Sequence, residues 1–360
     1  MRIAVLGVGL IGGSIGLAAR RRLDAEVAGY DTDRALLGRA LERGAITEAC
    51  ESVSDACRGA EIVFCAAPVG VLPELAAEAL AASGADTVVT DVGSVKREAI
   101  AALGADPRFV GGHPLAGAET AGVENARDDL FEGARWYLTP TPSTGGVLYD
   151  RAQGAISAIG GRPQAIDAET HDRLMAAVSH LPHVLANVLV AQAADALGAG
   201  ESERIGEVGP SLRDATRVAG ANPAIWADIF AGNREAVAEQ VDAVAERLRG
   251  AAELLRSGDA DAIAAWHAEA ASGRRLLLEE ELEGARLCEL RVLVPNTPGV
   301  VAEIALALGR AGVNIEDMGL YPAADMRSGA ISLYVVGEEE AGRAMELVRG
   351  LGHDVSQVER

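Results

Sequence analysis

The chain has 360 residues, of which 49% are hydrophobic, and a formal net charge of −21 at pH 7. This length exceeds what one ordinary hydrophobic core organises, so we expect two or three domains. The negative charge argues against binding to nucleic acid or to an anionic membrane, because the long-range field repels a polyphosphate. An anionic ligand would therefore have to be bound by local cations.

The four cysteines give no sign of a metal site or of a disulfide framework. Cys50, Cys57, Cys65 and Cys288 lack C-x-x-C spacing and nearby histidines, so we expect reduced thiols. The chain begins directly with a strand-like segment. We expect neither a signal peptide nor an apolar segment of about 18 residues that could span a membrane. A soluble cytoplasmic protein is predicted.

Residues 1–165 alternate short apolar runs with alanine-rich helical stretches. The runs that predict strands are Ile3–Leu6, Val27–Tyr30, Ile62–Ala67, Thr87–Asp91, Phe109–Gly111 and Trp136–Thr139. This alternation is typical of an α/β fold in which helices cover both faces of a parallel sheet. We predict a Rossmann-like dinucleotide-binding domain over residues 1–165.

A glycine fingerprint lies where the first predicted strand passes into a helix, and it reads Gly7-Val8-Gly9-Leu10-Ile11-Gly12. In this context the first glycine makes the tight turn, the second lets the backbone approach a pyrophosphate, and the third permits close helix packing. The helix N-terminus at Leu10 and Ile11 offers free N–H groups to phosphate. The alternative is a glycine turn that packs a helix and binds no cofactor.

The second predicted strand ends close to Asp31, nineteen residues after Gly12. A carboxylate at this place would accept hydrogen bonds from the adenine-ribose hydroxyls and repel a 2′-phosphate, which favours NAD over NADP. Arg34 on the following helix leaves NADP open, because a guanidinium there could meet the 2′-phosphate.

Two polar residues are predicted at the carboxyl edge of the sheet, where open α/β sheets bind ligands. Ser94 follows the strand that ends at Asp91, and His113 follows the next strand within the segment Gly111–Gly117. They are candidates for hydrogen bonding and proton transfer, because imidazole titrates near neutral pH. Taken singly, they could equally be a turn serine and a rim histidine.

From residue 166 to 284 the pattern is helical, and we predict an all-α second domain. His180 and His183 lie three positions apart and therefore on one face of a helix. Pro182 between them removes a backbone donor, so a kink could aim both rings into a cleft. The alternative is a kinked core helix with two capped imidazoles. A metal site is disfavoured because no third ligand accompanies them.

Residues 287–360 return to mixed α/β character. The predicted elements are strand Cys288–Val294, helix Val300–Ala311, strand Val313–Leu320, strand Ala330–Val336, helix Glu339–Leu351 and strand His353–Val358. This βαββαβ order is that of a ferredoxin-like unit. A small domain of this kind after a complete enzyme suggests regulation or assembly.

In their order along the chain, these motifs resemble the prephenate/arogenate dehydrogenase family over residues 1 to about 285. Further matches are Glu119, the segment Arg213–Ala219 and the segment Asn222–Trp226. The stretch Pro298–Ile304 with Gly312–Ile315 looks like an ACT domain, a module that in many enzymes binds amino-acid effectors.

The resemblance implies NAD-dependent oxidative decarboxylation of prephenate to 4-hydroxyphenylpyruvate in tyrosine biosynthesis. It implies that His113 contacts the 4-hydroxyl of the substrate and polarises it or takes its proton, with Ser94 hydrogen-bonding beside it. Arg217 matches the arginine that binds a substrate carboxylate, a task that suits a planar guanidinium, although it could be a surface arginine. The other implied substrate-binding residues are His180, His183, Glu119, Arg213 and Trp226.

Three alternatives stay open at this point. Arogenate dehydrogenase or a dual-specificity enzyme differs only in the substrate side chain, and His183 favours prephenate because its ring could donate to a keto or anionic group. A non-catalytic sensor of NAD and an amino acid belongs to another class. β-Hydroxyacid dehydrogenases are disfavoured, because they use a lysine on the helical domain and Lys96 is the only lysine.

The helical domain and the ACT-like module suggest a homodimer, and the ACT-like module also suggests regulation. We predict feedback by tyrosine, bound where one ACT-like domain pairs with its twin, near Asn314 and Pro298–Gly299. The alternative is a dimerisation module that binds no effector.

Overall fold

The computed structural model describes the chain over residues 1–117, 120, 122–196, 198, 209–281, 286–323 and 328–358. The chain divides into two compact units, Met1–Arg247 and Leu248–Arg360. Each unit contains a sheet with a hydrophobic core of its own.

The first unit is built around an eight-stranded sheet. Its strands are β1 (Arg2–Leu6), β2 (Glu26–Tyr30), β3 (Glu48–Ala49), β4 (Ile62–Cys65), β5 (Val88–Asp91), β6 (Phe109–Pro114), β7 (Arg135–Thr139) and β8 (Arg162–Ala165). Their order is β3-β2-β1-β4-β5-β6-β7-β8, and all neighbours are parallel except β6 and β7. Because this is the strand order of dinucleotide-binding sheets, the predicted Rossmann-like domain is confirmed.

Helices cover both faces of this sheet. They are α1 (Leu10–Leu23), α2 (Arg34–Glu42), α3 (Val53–Cys57), α4 (Leu72–Ala82), α5 (Arg97–Leu103) and α6 (Gly146–Ala158). Alternate residues of β1 enter opposite cores: Ile3 and Val5 join one buried cluster, and Ala4 and Leu6 join the other. Burial on both faces explains why the central strands have continuous apolar runs that the sequence makes visible.

The sequence pattern does not predict β3 or β8. Both residues of β3 are exposed, and in β8 only Pro163 is partly buried, so no apolar run marks either strand. The antiparallel pairing of β6 with β7 also differs from the predicted all-parallel sheet.

The helical region starts after the sheet. Its helices are α7 (Ala168–Met175), α8 (Leu181–Ala196), α9 (Pro210–Thr216), α10 (Pro223–Gly232), α11 (Arg234–Ser257) and α12 (Ala260–Glu281). The described part of residues 166–281 contains no strand, as predicted. A π-helical segment, Ala176–His180, joins α7 to α8. The boundary between the compact units falls within α11, whereas the sequence predicted one helical domain over residues 166–284.

One helical stretch is long and apolar enough to span a membrane by length and composition alone. It runs from Ala168 to Ala196 over 29 residues and contains an 18-residue window with a mean hydropathy of 1.6. The expectation that no segment reaches this composition was therefore wrong, because histidine, asparagine and glutamine interrupt the apolar run without adding charge.

The second unit contains a four-stranded antiparallel sheet. The elements after α12 are β9 (Leu287–Pro295), α13 (Val300–Arg310), β10 (Asp317–Pro322), β11 (Ser328–Val336), α14 (Glu338–Gly350) and β12 (Asp354–Gln357). The strand order is β10-β11-β9-β12, so the first and third strands are central. The predicted βαββαβ order is confirmed.

Candidate active site

The glycine turn between β1 and α1 is shaped by close backbone packing. Gly7 has φ +96°, and a Cβ on it would lie 2.2 Å from the carbonyl oxygen of Ala66. A Cβ on Gly12 would lie 1.9 Å from the oxygen of Gly7. Gly9 is different, because a Cβ there would meet no atom within 4 Å. Packing therefore requires glycine at the first and third positions, whereas the second faces open space where a ligand could approach.

Asp31 directly follows β2 and is fixed beside this turn. Its Oδ2 accepts a hydrogen bond from the backbone N–H of Val8 at 2.9 Å, and its Oδ1 accepts one from that of Asp33 at 2.9 Å. The side chain of Arg34 is 81% exposed and lies 4.0 Å from Glu51. The fixed carboxylate at the end of β2 fits the ribose of NAD, and Arg34 is directed to a surface ion pair.

A cavity of about 520 Å³ opens next to the turn, a volume typical of small-molecule sites. The residues that line it come from the glycine turn, the ends of β4, β5 and β6, and α10: Gly9, Leu10, Ile11, Ala66, Ala67, Pro68, Val69, Val92, Gly93, Ser94, His113, Pro114, Ala116, Gly117, Thr120, Gly122, Ile225, Trp226 and Ile229. The structure thus brings the predicted residues Ser94, His113 and Trp226 to one cavity beside the predicted cofactor turn.

His113 begins a chain of hydrogen bonds that continues through two residues of α7. Its Nδ1 lies 2.9 Å from Nε2 of His171, and Nδ1 of His171 lies 2.8 Å from Oδ1 of Asp172. Both α7 residues are fully buried, while His113 is half-buried and borders the cavity. The three side chains form a continuous hydrogen-bonded chain that ends at the cavity.

The carboxylate of Asp172 sets the direction of the protons along this chain. Burial would raise its pKa, but hydrogen bonds from His171 and from the backbone N–H groups of Arg97 and Lys96 lower it below the usual value. An ionised Asp172 accepts the Nδ1 proton of His171, so Nε2 of His171 is an acceptor and Nδ1 of His113 is the donor. The remaining nitrogen of His113, Nε2, then carries a lone pair and can accept a proton.

The environment also keeps His113 uncharged. Burial lowers its pKa well below the usual value, and electrostatic interactions with His171, Lys96 and His180 lower it further. A neutral imidazole with a free lone pair is the form that a general base requires at pH 7.

His180 differs from its predicted place at the substrate. Its side chain is 1% exposed, and its Nδ1 accepts a hydrogen bond from Nδ2 of Asn233 at 3.1 Å. Nδ2 of Asn233 also donates to the backbone oxygen of Asp172 at 2.7 Å. Burial lowers the pKa of His180 to about 4. The π-helical turn before Pro182 directs this ring into the protein, where it supports α7, and not into the cavity.

His183 does not line the cavity itself but contacts a residue that does. Its ring stacks on Trp226, with centroids 3.4 Å apart and planes at 24°, and Trp226 lines the cavity. Burial and then the charge of Arg217 lower the pKa of His183. Arg217 is exposed and begins a 3₁₀ turn after α9. The structure therefore groups His183, Trp226 and Arg217.

The two remaining predicted residues are Arg213 and Glu119. Arg213 is exposed on α9, one turn before Arg217, and does not line the cavity. Glu119 lies outside the described residues.

Sequence reasoning missed His171, Asp172 and Asn233. No role was predicted for His171 from the sequence. An acid next to a histidine is uninformative until the fold shows that α7 meets the end of β6.

A nucleotide-binding sheet, a glycine turn and a neutral imidazole at the adjoining cavity define a nicotinamide-dependent dehydrogenase. Comparison with known proteins narrows this class. Residues 15–163 match the prephenate dehydrogenase nucleotide-binding domain, and residues 167–269 match the prephenate dehydrogenase dimerization domain. The chain belongs to the prephenate dehydrogenase family.

Similar proteins include the prephenate dehydrogenase of Bacillus subtilis, which is 28% identical over 354 residues, 96% of this chain and 95% of that protein. The cyclohexadienyl dehydrogenase of Zymomonas mobilis is 31% identical over 279 residues, 76% of this chain and 95% of that protein. The sequence-based predictions of the family, of an oxidoreductase and of NAD as cofactor are confirmed.

Comparison with solved structures indicates the same family. Prephenate dehydrogenase of Aquifex aeolicus, in complex with hydroxyphenyl propionate and NAD+, superposes with a TM-score of 0.70 at 30% identity, covering 77% of this chain and 98% of that one. Arogenate dehydrogenase of Synechocystis has a TM-score of 0.66 at 25% identity, covering 76% of this chain and 99% of that one.

Proposed function

We propose that the protein catalyses the NAD-dependent oxidative decarboxylation of prephenate to 4-hydroxyphenylpyruvate. The observation that carries this proposal is the Asp172–His171–His113 chain, which presents an uncharged proton acceptor at a cavity beside the cofactor turn. The family membership supplies the substrate class. A sensor would need no such acceptor.

In this mechanism Nε2 of His113 accepts the proton of the 4-hydroxyl, and the hydroxyl of Ser94 orients the same oxygen by hydrogen bonding. Gly7–Gly12 and Asp31 would hold NAD, which would supply the acceptor for the hydride of carbon 4. The ring carboxylate leaves as CO2, its bonding electrons make the ring aromatic, which drives the reaction, and the 4-oxygen takes the proton back from His113. Base catalysis of this kind contributes about 10²–10⁴-fold to a rate.

Substrate binding is assigned to the group at the edge of the cavity. The guanidinium of Arg217 binds a substrate carboxylate, a pairing that a planar fork favours. His183, held by its stack on Trp226, donates to the side chain of the substrate. Glu119 orients or gates the site, and Arg213 adds positive charge nearby. His180 contributes through Asn233 and α7, without contact to substrate.

The choice of prephenate over arogenate rests on charge. The ring of His183 can donate to a keto or anionic group of prephenate, whereas the ammonium group of arogenate would gain from a carboxylate instead. The test is NADH formation at 340 nm with NAD and either substrate. Faster turnover of prephenate supports the proposal. Activity confined to arogenate would keep the mechanism and overturn the substrate, and silence with both would favour the sensor.

Replacing Gly9 with alanine should weaken NAD binding without unfolding the protein. A Cβ at this position meets no protein atom within 4 Å, so only a bound ligand would feel it. We expect the NAD dissociation constant to rise about 10- to 100-fold, as measured by calorimetry. Gly38→Ala on α2 is the matched control, since its Cβ also enters open space and binding should not change. Unchanged affinity of Gly9→Ala would place the pyrophosphate elsewhere.

We infer that the C-terminal domain is an ACT-like regulatory domain that binds tyrosine between two copies. Its βαββαβ order supports the assignment, and Gly299, with φ +97°, opens α13 at the proposed site. Asn314 is exposed, and its Nδ2 donates to Glu316 at 2.6 Å. Tyrosine should inhibit the full chain and not a chain that ends at residue 286. Inhibition that survives the deletion would place tyrosine elsewhere, and no inhibition of the full chain would leave a dimerisation module.

We further propose that the protein is a cytoplasmic homodimer that pairs through α8. This helix and the turn before it expose a set of apolar side chains: Val178, Leu185, Val188, Leu189 and Val190. A second copy covering them accounts for the hydropathy of this stretch without a membrane. Val188→Glu should therefore yield monomers by sedimentation velocity. The control Val147→Glu, on an exposed valine of α6, should leave the dimer intact. A Val188→Glu protein that still sediments as a dimer would exclude this face.

A further inference from the structure

The only lysine of the chain lies beneath the active site. Lys96 and Asp91 are both fully buried and form an ion pair. A lysine is rarely buried completely, and a buried ion pair is a weak source of stability because desolvation offsets the attraction between the charges. Stability therefore gives no sufficient reason for this pair. The hydrogen bonds of Lys96 and Asp91 to neighbouring backbone groups give another reason for the pair.

The pair binds both backbone polar groups of the residue before His113. Nζ of Lys96 donates to the backbone oxygen of Gly112 at 2.7 Å, and the backbone N–H of Gly112 donates to Oδ1 of Asp91 at 2.9 Å. The end of β6 is thereby tied to the end of β5. A Cβ on Gly112 would lie 2.5 Å from the backbone oxygen of Asp91, so the two strands meet too closely here for any side chain.

The same pair orders the turn that carries Ser94. Oδ2 of Asp91 accepts the backbone N–H of Gly93 at 3.0 Å. At the other end of the turn, the backbone N–H of Lys96 donates to Oδ1 of Asp172 at 2.8 Å. That oxygen also binds His171. One buried pair thus connects the two residues that face the substrate with the chain that orients the base.

We propose that the Asp91–Lys96 pair is the positioning element of the active site, which holds His113 and Ser94 in register through their neighbouring backbone groups. Neither residue lines the cavity, so both act through other residues. This inference rests on the proposed role of His113 as the base.

Lys96 also acts on the charge of the base. Among the described residues, the titratable groups around His113 are His171 and Asp172 on α7, His180 on the π-helical turn, Tyr137 on β7 and the ion pair itself. After burial and His171, the charge of Lys96 lowers the pKa of His113. When that charge is removed, the pKa rises, and a larger fraction of His113 is protonated and inactive in mildly acidic solution.

The double variant Asp91→Asn/Lys96→Met tests this proposal, because it removes both charges and leaves neither partner buried as a lone ion. Its kcat should fall about 10²-fold, as for a small displacement of a catalytic group, while the NAD dissociation constant is unchanged. The acidic limb of the kcat profile should move to higher pH, because Lys96 is the member of the pair whose charge shifts the pKa of His113. Without substrate, the ring protons of His113, assigned in NMR spectra by their loss in His113→Asn, should show the same rise.

Two further variants separate positioning from folding. Leu80→Ala creates a cavity in the buried cluster beneath α4 and should lower the melting temperature with no change in kcat or in the titration of His113. Lys96→Arg keeps the charge but not the shape, so kcat should fall while the titration stays near that of the wild type. This second variant also serves if the double variant does not fold.

The proposal would be overturned if a folded double variant kept the wild-type kcat and the wild-type titration of His113. It would also be overturned if Lys96→Arg kept the wild-type kcat. A shifted titration in a protein that oxidises neither prephenate nor arogenate would leave the positioning intact and contradict the proposed function.

Discussion

Replacement of His113 by asparagine is expected to lower kcat about 10²–10⁴-fold and to leave NAD affinity unchanged. Asparagine fits the site and can donate to Nε2 of His171 as the imidazole does. It has no lone pair that accepts a proton at neutral pH, so only the base function is lost. Steady-state kinetics with prephenate and calorimetric titration with NAD measure the two quantities separately.

The matched control is His267→Asn, the same substitution at an exposed histidine of α12. It should behave as the wild type in both measurements. A His113→Asn enzyme that keeps full turnover would show that the proton leaves by another route. If the wild type and His113→Asn both bind NAD and prephenate and neither oxidises prephenate, the result would instead support the sensor.

The sequence predicts most of the sheet and the cofactor turn because each depends on local pattern. Central strands are buried on both faces and therefore read as apolar runs. Glycine stands where a larger residue would collide with the backbone, as at Gly7, where a Cβ would lie 2.2 Å from a carbonyl oxygen. β3 and β8 lack an apolar run because they lie at the edges and expose most of their side chains. Edge strands are recognised only through their neighbours.

The residues of the active site also fall into two groups, those that the sequence predicts and those that it does not. Ser94 and His113 follow strands, so strand order alone places them at one edge, and both line the cavity. His171 is 58 residues from its partner His113, and only the docking of α7 on β6 brings the two rings together. The inward direction of His180 depends on a π-helical turn that regular helix periodicity cannot predict. The sequence thus predicts where single motifs lie in the active site. It does not predict hydrogen bonds between side chains of different helices and strands.

Replacement of Asp172 by asparagine should have a comparable effect without touching the residue that meets the substrate. We expect kcat to fall about 10²–10⁴-fold, as when the carboxylate behind a catalytic histidine is neutralised elsewhere. With its oxygen toward His171, the amide keeps the tautomer but offers no charge to balance a protonated imidazole. With its nitrogen toward His171, the donors reverse and Nε2 of His113 carries a proton from the start.

Either orientation of the amide weakens the base, and the loss of a hydrogen bond to the backbone N–H of Arg97 or Lys96 adds to it. Glu169→Gln, which neutralises an exposed carboxylate on the same helix, is the control and should leave kcat unchanged. The NAD dissociation constant should be the same in all three proteins, because α7 does not line the cavity. If Asp172→Asn matched the control in kcat, His113 would act without the chain behind it, and the buried carboxylate would serve only to hold α7 against the turn after β5.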